Sequence, residues 1–302
     1  MNQSDLVSAL DDFFDTPNFD EREKWQGLMT DVHRESLRAY LAEGFRESSW
    51  NGLMLDNVEE DIERVYLAVF PSADVLDQII AREVERGAGG AMIFAHHMAS
   101  YEEGGNGFVQ IPLEQLDELA EHQISLYVCH APLDCNEEIS TSGALATALG
   151  LNDTERFGEY VGGLAGVVGT VPLTSFQTFA ERYREVCDLE SLRYDQILHN
   201  TQPVQKVAIV AGGGGTQNFL DEAKALKADT VVTGHWHLYA DSDYAEARRT
   251  DFRKYIPRLR MNLLGSSHYS SEMVVMRDQL KTWFSEKFEL DAFFIAQEDA
   301  WG

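Results

Sequence analysis

A chain of 302 residues is long enough for two ordinary domains, and 44% hydrophobic residues with aromatics along the whole length describe a globular protein, not a disordered one. The formal net charge of −27, with no cluster of Lys and Arg, argues against direct binding to DNA or RNA and against anionic membranes, since both need a basic surface. No stretch stays apolar over the roughly 18 residues of a spanning helix, and the acidic start MNQSDLVSALDDFFD lacks the basic and apolar regions of a secretory signal, so a cytoplasmic protein is expected.

Residues 4 to about 45 read as helical, with Ser4 as an N-cap, a break at Pro17 and Asn18, and Trp25, Leu28, Val32, Leu37 and Leu41 at helical spacing. Short apolar runs then alternate with helical patterns. ERVYLAVF (63–70) reads as a strand and ADVLDQIIAREVERG (73–87) as a helix stopped by Gly87. AMIFA (91–95) reads as a strand, PLEQLDELAEHQ (112–123) as a helix with Pro112 in its first turn, and ISLYVC (124–129) as a strand. SGALATALGL (142–151) is helical, VGGLAGVVGTVP (161–172) extended, and SFQTFAERYREV (175–186) helical. KVAIVAGGGG (206–215) is a strand running into a glycine turn, followed by the helix TQNFLDEAKALK, the strand DTVVTG, the helix DYAEARR, the strand RMNLLG and the helix HYSSEMVVMRDQLKTWF. Alternation of this kind predicts an α/β chain with largely parallel strands.

Three segments put metal-type residues at strand ends or helix starts, the edge where open α/β sheets bind ligands. His96 and His97 directly follow AMIFA; adjacent side chains on extended chain point to opposite sides, so the pair can serve two ions, although a surface pair is the plain alternative. His130 and Asp134 follow ISLYVC on a loop marked by Pro132; the carboxylate can ligate a metal or cap a turn, and the imidazole can ligate, hold a ligand or move a proton. In GSSHYSSE, Ser266 or Ser267 can cap a helix that carries His268 and Glu272 on one face. Three imidazoles and two carboxylates are too many for one four-coordinate zinc with an open position, and suit two ions.

Other features are weaker. AGGGGT at a strand-to-helix turn can cradle a phosphate with its N–H groups or be a tight structural turn; it has neither the Lys-Ser/Thr of a Walker loop nor the dinucleotide fingerprint. Cys129, Cys135 and Cys187 form no CxxC pair and read as buried fillers in a reducing compartment. Acid spread along the chain, with arginine supplying most of the positive charge, suits an acidic soluble protein or one from a salt-loving source.

Taken in order, Asn51-Gly52-Leu53, His96-His97, His130 to Asp134, Gly166 to Gly169, Val207-Ala208 with Gly212 to Gly215, Thr233-Gly234 and His268 to Glu272 resemble the NIF-three-like family, also known as GTP cyclohydrolase I type two homologues, from about residue 51 to about 285. The chain departs from the family pattern at Met98, in HAPLD, in TGHWHLY and over residues 1 to about 50. The resemblance implies two three-layer α/β domains with a dinuclear metal site in the cleft between them. With it go an N-terminal helical segment (1–50), a first domain (51–165) and a second (166–302). It makes His96, His97, Asp134, His268 and Glu272 the ligands of two divalent ions (zinc, iron or manganese) and places His130 beside them. His235 and His237 can act as general acid or base, serve as extra ligands for an ion, or be plain polar loop residues. It also implies a homo-oligomer, in the family a ring-shaped hexamer. The activity expected is a metal-dependent hydrolase of a small nucleotide-like or heterocyclic substrate; no basic cluster lies nearby, so the metals themselves, or Arg248 and Arg249, would have to offset any phosphate charge. The alternative is a non-enzymatic metal-containing regulator or adaptor.

Overall fold

A computed structural model describes residues 1–29, 31–59, 61–87, 89–102, 107–192, 199–236 and 243–301. Twelve strands occur among them: β1 (Gly52–Leu55), β2 (Arg64–Ala68), β3 (Ala91–Ala95), β4 (Ser100–Glu102), β5 (Gly107–Val109), β6 (Ile124–Val128), β7 (Asn152–Tyr160), β8 (Gly163–Thr174), β9 (Val204–Val210), β10 (Thr230–Thr233), β11 (Asn262–Gly265) and β12 (Asp291–Phe294). The chain groups into two compact units. The first is Met1–Tyr101, Phe108–Asn136 and Met276–Glu298; the second is Glu102–Gly107, Glu137–Val275 and Asp299–Gly302. This grouping runs differently from a linear division at 165/166: the N-terminal helices join the first unit, and the chain returns to it near its end so that β12 can pair with β2.

The first unit holds the sheet β1-β6-β3-β2-β12, in which β12, β2, β3 and β6 run parallel and β1 is antiparallel at the edge. β2, β3 and β6 are buried at every residue, which is why their sequences are continuous apolar runs instead of alternating ones. Alternation instead sorts residues between two faces. Ile93 and Ala95 share a core with Leu76, Ile79, Leu116 and Leu119 of the helices Ala73–Arg86 and Leu113–Glu121. Phe94 points the other way, to Phe14 of the helix Gln3–Phe14 and Phe284 of the helix Lys281–Phe288, with ring centroids 5.7 and 5.4 Å away. Sheet and helices thus form three layers.

The second unit repeats the layering on the sheet β11-β10-β9-β8-β7, with β9, β10 and β11 parallel and the β7–β8 hairpin antiparallel. Ala208, Val210, Val231 and Leu263 face Leu220 and Ala223 of the helix Gln217–Ala225 and Phe252 of the helix Asp243–Tyr255. The helices Thr141–Leu149 and Phe176–Val186 lie on the opposite face, where Tyr183 donates from its hydroxyl to the Thr233 carbonyl at 2.7 Å. No helix among the described residues is long and apolar enough to cross a membrane.

Most expected elements form, with local corrections. Asn2, not Ser4, caps the first helix, its side chain accepting the Ser4 N–H at 3.0 Å. The pattern over 20–45 breaks into the helices Arg22–Leu28, Asp31–Leu37 and Glu43–Glu47. Pro112 is the N-cap of its helix, one position before the expected site. The last long helix is interrupted by a π-helical stretch, Val275–Leu280, where the chain passes from the second unit to the first. Gly87 ends its helix as expected, in the left-handed conformation (φ 67°).

Candidate metal centre

In the first unit His96 and His97 continue off the end of β3, and their N–H groups still pair with the carbonyls of Ala68 and Val69 beside β2. Both are fully buried. The His96 Nδ1 lies 2.9 Å from the Cys129 carbonyl, which can only accept, so Nδ1 carries the proton and Nε2 keeps its lone pair. That Nε2 stands 3.5 Å from the Asp134 carboxylate, wide for a hydrogen bond and suited to two donors around one ion. His97 is held by packing: its ring stacks on Phe70 at 4.2 Å and meets Trp25 edge-on. The His130 ring lies 4.9 Å from that of His96 and 4.7 Å from that of His97. One ligand atom from each of the three imidazoles lies within 4.8 Å of the others, so His130 joins the pair as a potential donor.

His130 is positioned by a residue that sequence reasoning missed. Its Nδ1 lies 2.7 Å from Oε1 of the buried Glu21, which reaches in from the N-terminal segment. Oε2 of the same carboxylate accepts the Ala131 N–H at 3.0 Å and an Asn51 amide hydrogen at 3.2 Å. Lys24 adds an ion pair at 3.1 Å. Burial alone would raise the Glu21 pKa, but the His130 and Lys24 charges and these hydrogen bonds outweigh it and hold the carboxyl well below the usual range. For His130, burial outweighs the Glu21 charge and lowers the pKa. The pair is therefore a carboxylate beside a neutral imidazole whose Nδ1–H donates to it. Asn51 also accepts the His130 N–H at 2.8 Å. It begins the Asn51-Gly52-Leu53 motif, the one sequence signal that pointed to this network.

In the second unit the expected cap is there: Ser267 accepts the Ser270 N–H at 3.0 Å and starts the helix His268–Val274. His268 and Glu272 face the same way one turn apart, with Nε2 and Oε1 separated by 3.2 Å. The His235 Nε2 lies 2.9 Å from the His268 Nδ1, so His235 touches the site through that second imidazole. His237 falls outside the described residues. The glycine turn serves these donors directly. Gly212 has φ 63°, and a Cβ there would run into the Glu272 carboxylate and come within 2.8 Å of the His268 Nε2. Ser271 fixes the turn by accepting the Gly212 N–H at 2.8 Å. Gly234 is as tightly held, against the Gly212 and Ser267 carbonyls. Cys129 and Cys187 are buried and form no disulfide, as expected of fillers, whereas Cys135 is only half-buried and departs from that expectation.

The Duf34/NIF3 (NGG1p interacting factor 3) family model matches residues 29–300. The chain belongs to this family. Its relatives include the "GTP cyclohydrolase 1 type 2 homolog" of Pyrococcus abyssi, 27% identical over 271 residues that cover 87% of this chain and 98% of the relative. The protein of the same name from Pyrococcus horikoshii is 29% identical over 276 residues, again 87% and 98%. Among solved structures, a protein named ybgI superposes with a TM-score of 0.67 at 19% identity, covering 99% of this chain and all of the other. Reduced HcgD from Methanocaldococcus jannaschii gives 0.61 at 19% identity, covering 98% of each chain. These structures establish a shared NIF3 fold. The family match begins at residue 29, so Glu21, which orients His130, precedes it.

Proposed function

We propose that this NIF3-family chain is a dinuclear divalent-metal protein and a metal-dependent hydrolase of a small nucleotide-like or heterocyclic substrate. The donor sets are His96, His97 and Asp134 in the first unit and His268 and Glu272 in the second. Their chemistry fits zinc, iron or manganese, because imidazole and carboxylate suit all three. When bound, such ions supply Lewis acidity toward water or a substrate oxygen.

The observation that carries the enzymatic reading is the Glu21–His130 pair. It places an imidazole, one nitrogen of which lies 2.7 Å from a buried carboxylate, beside the rings of His96 and His97. That arrangement suits a group that takes and returns a proton while held in place. His235 positions the His268 ring through their shared hydrogen bond and so fixes which nitrogen faces Glu272. The names of the relatives favour a heterocycle such as a purine nucleotide as substrate. The homo-oligomer, in the form of a hexamer, belongs to the same proposal.

Metal analysis tests this reading. The purified protein is expected to hold about two divalent ions per chain, and Glu272→Gln is expected to lose more metal than Asp134→Asn. Glu272 is fixed by its helix to act with His268, and glutamine keeps its shape without its charge. His130→Ala is expected to keep most of the metal and to abolish formate release from guanine nucleotides. A metal-free wild type, or retention of both ions by Glu272→Gln alongside their loss from Asp134→Asn, would overturn the ligand assignment.

A further inference from the structure

One helical turn of the first unit reaches two of its imidazoles at once. Glu21 is the N-cap of the helix Arg22–Leu28, and the Trp25 N–H bonds to the Glu21 carbonyl at 3.0 Å. Residues four apart share a helix face, so the turn that carries the Glu21 carboxylate to His130 carries the Trp25 ring the same way. That ring meets His130 edge-on at 5.2 Å between centroids and His97 edge-on at 6.3 Å. Phe108 of β5 lies 5.2 Å from it, and Trp25 is 1% exposed. The turn is tied to the body of the unit: the Glu21 N–H donates to the Ser49 carbonyl at 2.9 Å, and an Asn51 amide hydrogen donates to the Phe19 carbonyl at 3.1 Å.

The other contacts of these imidazoles leave a freedom that Trp25 removes. Phe70 stacks on His97 with the planes 16° apart, which resists tilting of the imidazole but not sliding within its plane. The Trp25 ring stands at 78° to that imidazole and blocks the slide. At His130 the Glu21 hydrogen bond fixes one nitrogen and leaves the ring able to pivot about that bond. The Trp25 ring, at 77°, stops the pivot. Both histidines are buried, so a smaller side chain at position 25 would leave room for them to move. Lys24 completes the turn: its ammonium sits 5.0 Å over the Trp25 ring and 3.1 Å from the Glu21 carboxylate, joining the two side chains.

We infer that Trp25 is a positioning residue of the candidate metal centre, holding the His97 ring in the pose that binds an ion and the His130 ring in the pose that moves a proton. This role rests on the ligand set of the proposed function and deepens it. It falls to a segment that precedes the family match, which begins at residue 29. By linkage, if the docked turn raises metal affinity, bound metal strengthens the docking of the turn by the same factor. Residues 22–28 should therefore gain protection when metal binds.

Zinc titration against a chromogenic chelator, with the full-length chain and its variants, tests this role. Trp25→Leu, which removes the ring, is expected to weaken zinc binding by roughly tenfold, the loss that follows when a residue supporting a ligand is removed. Trp25→Phe keeps a smaller ring and should recover most of that loss. Phe45→Leu is the control for lost core packing. Phe45 is a buried ring of the same core, on the helix Glu43–Glu47; it packs on Trp50 at 5.9 Å and makes no ring contact with a candidate donor among the described residues. This variant should bind zinc as the wild type does, even where urea unfolding shows it to be as destabilised as Trp25→Leu. Hydrogen exchange of the wild type should slow across residues 22–28 when zinc is bound, a readout that needs neither variant to fold. Zinc binding by Trp25→Leu equal to the wild type, an equal loss in Phe45→Leu, or exchange across 22–28 unchanged by zinc would overturn the role of Trp25 and leave the metal reading standing. A wild type that takes up no zinc would overturn both.

Discussion

The two units hold their imidazoles by different means. In the first, a charged side chain holds His130: Glu21 anchors it, Asn51 and the Ala131 amide tie Glu21 down, and Lys24 offsets its charge. In the second, backbone and hydroxyls do it: Gly212 packs against Glu272 and His268, Ser271 accepts from the Gly212 amide, and a serine capping box starts the helix. The contrast extends beyond the candidate site. The first unit buries Glu21, Glu83 and Arg64, whereas Glu272 is the one buried acidic or strongly basic residue of the second among the described residues. Charged networks hold position by electrostatics, which pH can alter; steric contact and neutral hydrogen bonds hold it by shape. The first unit should therefore respond to charge changes and the second to volume changes.

The largest effect is expected where shape leaves no room. Gly212→Ala must place a Cβ at φ 63° and into the Glu272 carboxylate. The left-handed backbone and the overpacking together cost roughly 2–5 kcal/mol. Urea unfolding should show that loss, and metal analysis should show the Glu272 and His268 donors disabled even in the fraction that folds. A stable variant with full metal content would mean that the turn can yield, and the contrast between the units would fail.

Glu21→Gln is the matching charge test in the first unit. Glutamine fits the space but presents an amide where His130 and Ala131 need acceptors, and it removes the partner of Lys24. A loss of about 1–3 kcal/mol is expected. Metal content should fall little, while turnover falls steeply because His130 loses its anchor. Glu21→Asp, which keeps the charge at a shorter reach, should recover part of the stability. If Glu21→Gln left both stability and turnover unchanged, the carboxylate would be no more than a buried bystander.

The candidate donors of the two units also differ in how far sequence could reveal them. His268 and Glu272 were legible because their relation is set by one helical turn, and His96-His97 because a buried strand runs straight into them. Glu21 was not, since it acts on a residue 109 positions away and sits in a segment that reads only as amphipathic helix. Asn51 lies 79 positions from the backbone it supports; its motif was visible but not its purpose. The glycine run was legible as a tight turn, and the contacts of Gly212 show why it is needed there. Among the elements, β7 escaped because its first four residues are exposed on both faces and carry no alternation. The edge strands β1 and β12 are four residues each, too short for a pattern.

A smaller effect should expose the charged character of the first unit at alkaline pH. The Tyr66 hydroxyl donates to the Glu83 carboxylate at 2.5 Å, and Glu83 is in turn bridged to Arg64 at 3.0 Å. Burial first, and then the Glu83 hydrogen bond and charge, push the Tyr66 pKa from 10.0 up to about 12. The folded protein thus keeps a proton that the unfolded chain gives up earlier. The stability this supplies is complete below the unfolded value of 10.0 and is lost as pH rises through about 12. Tyr66→Phe removes the titration and the hydrogen bond together, so the wild type should lead the variant by a constant margin up to about pH 10 and then lose that lead as pH climbs toward 12. Chemical unfolding at matched pH reads the difference directly, and because both proteins share every other tyrosine, those cancel. A margin that stays flat across the alkaline range would mean that Glu83 and Tyr66 interact as neutral groups do, and would remove the first unit's second charged network from the comparison.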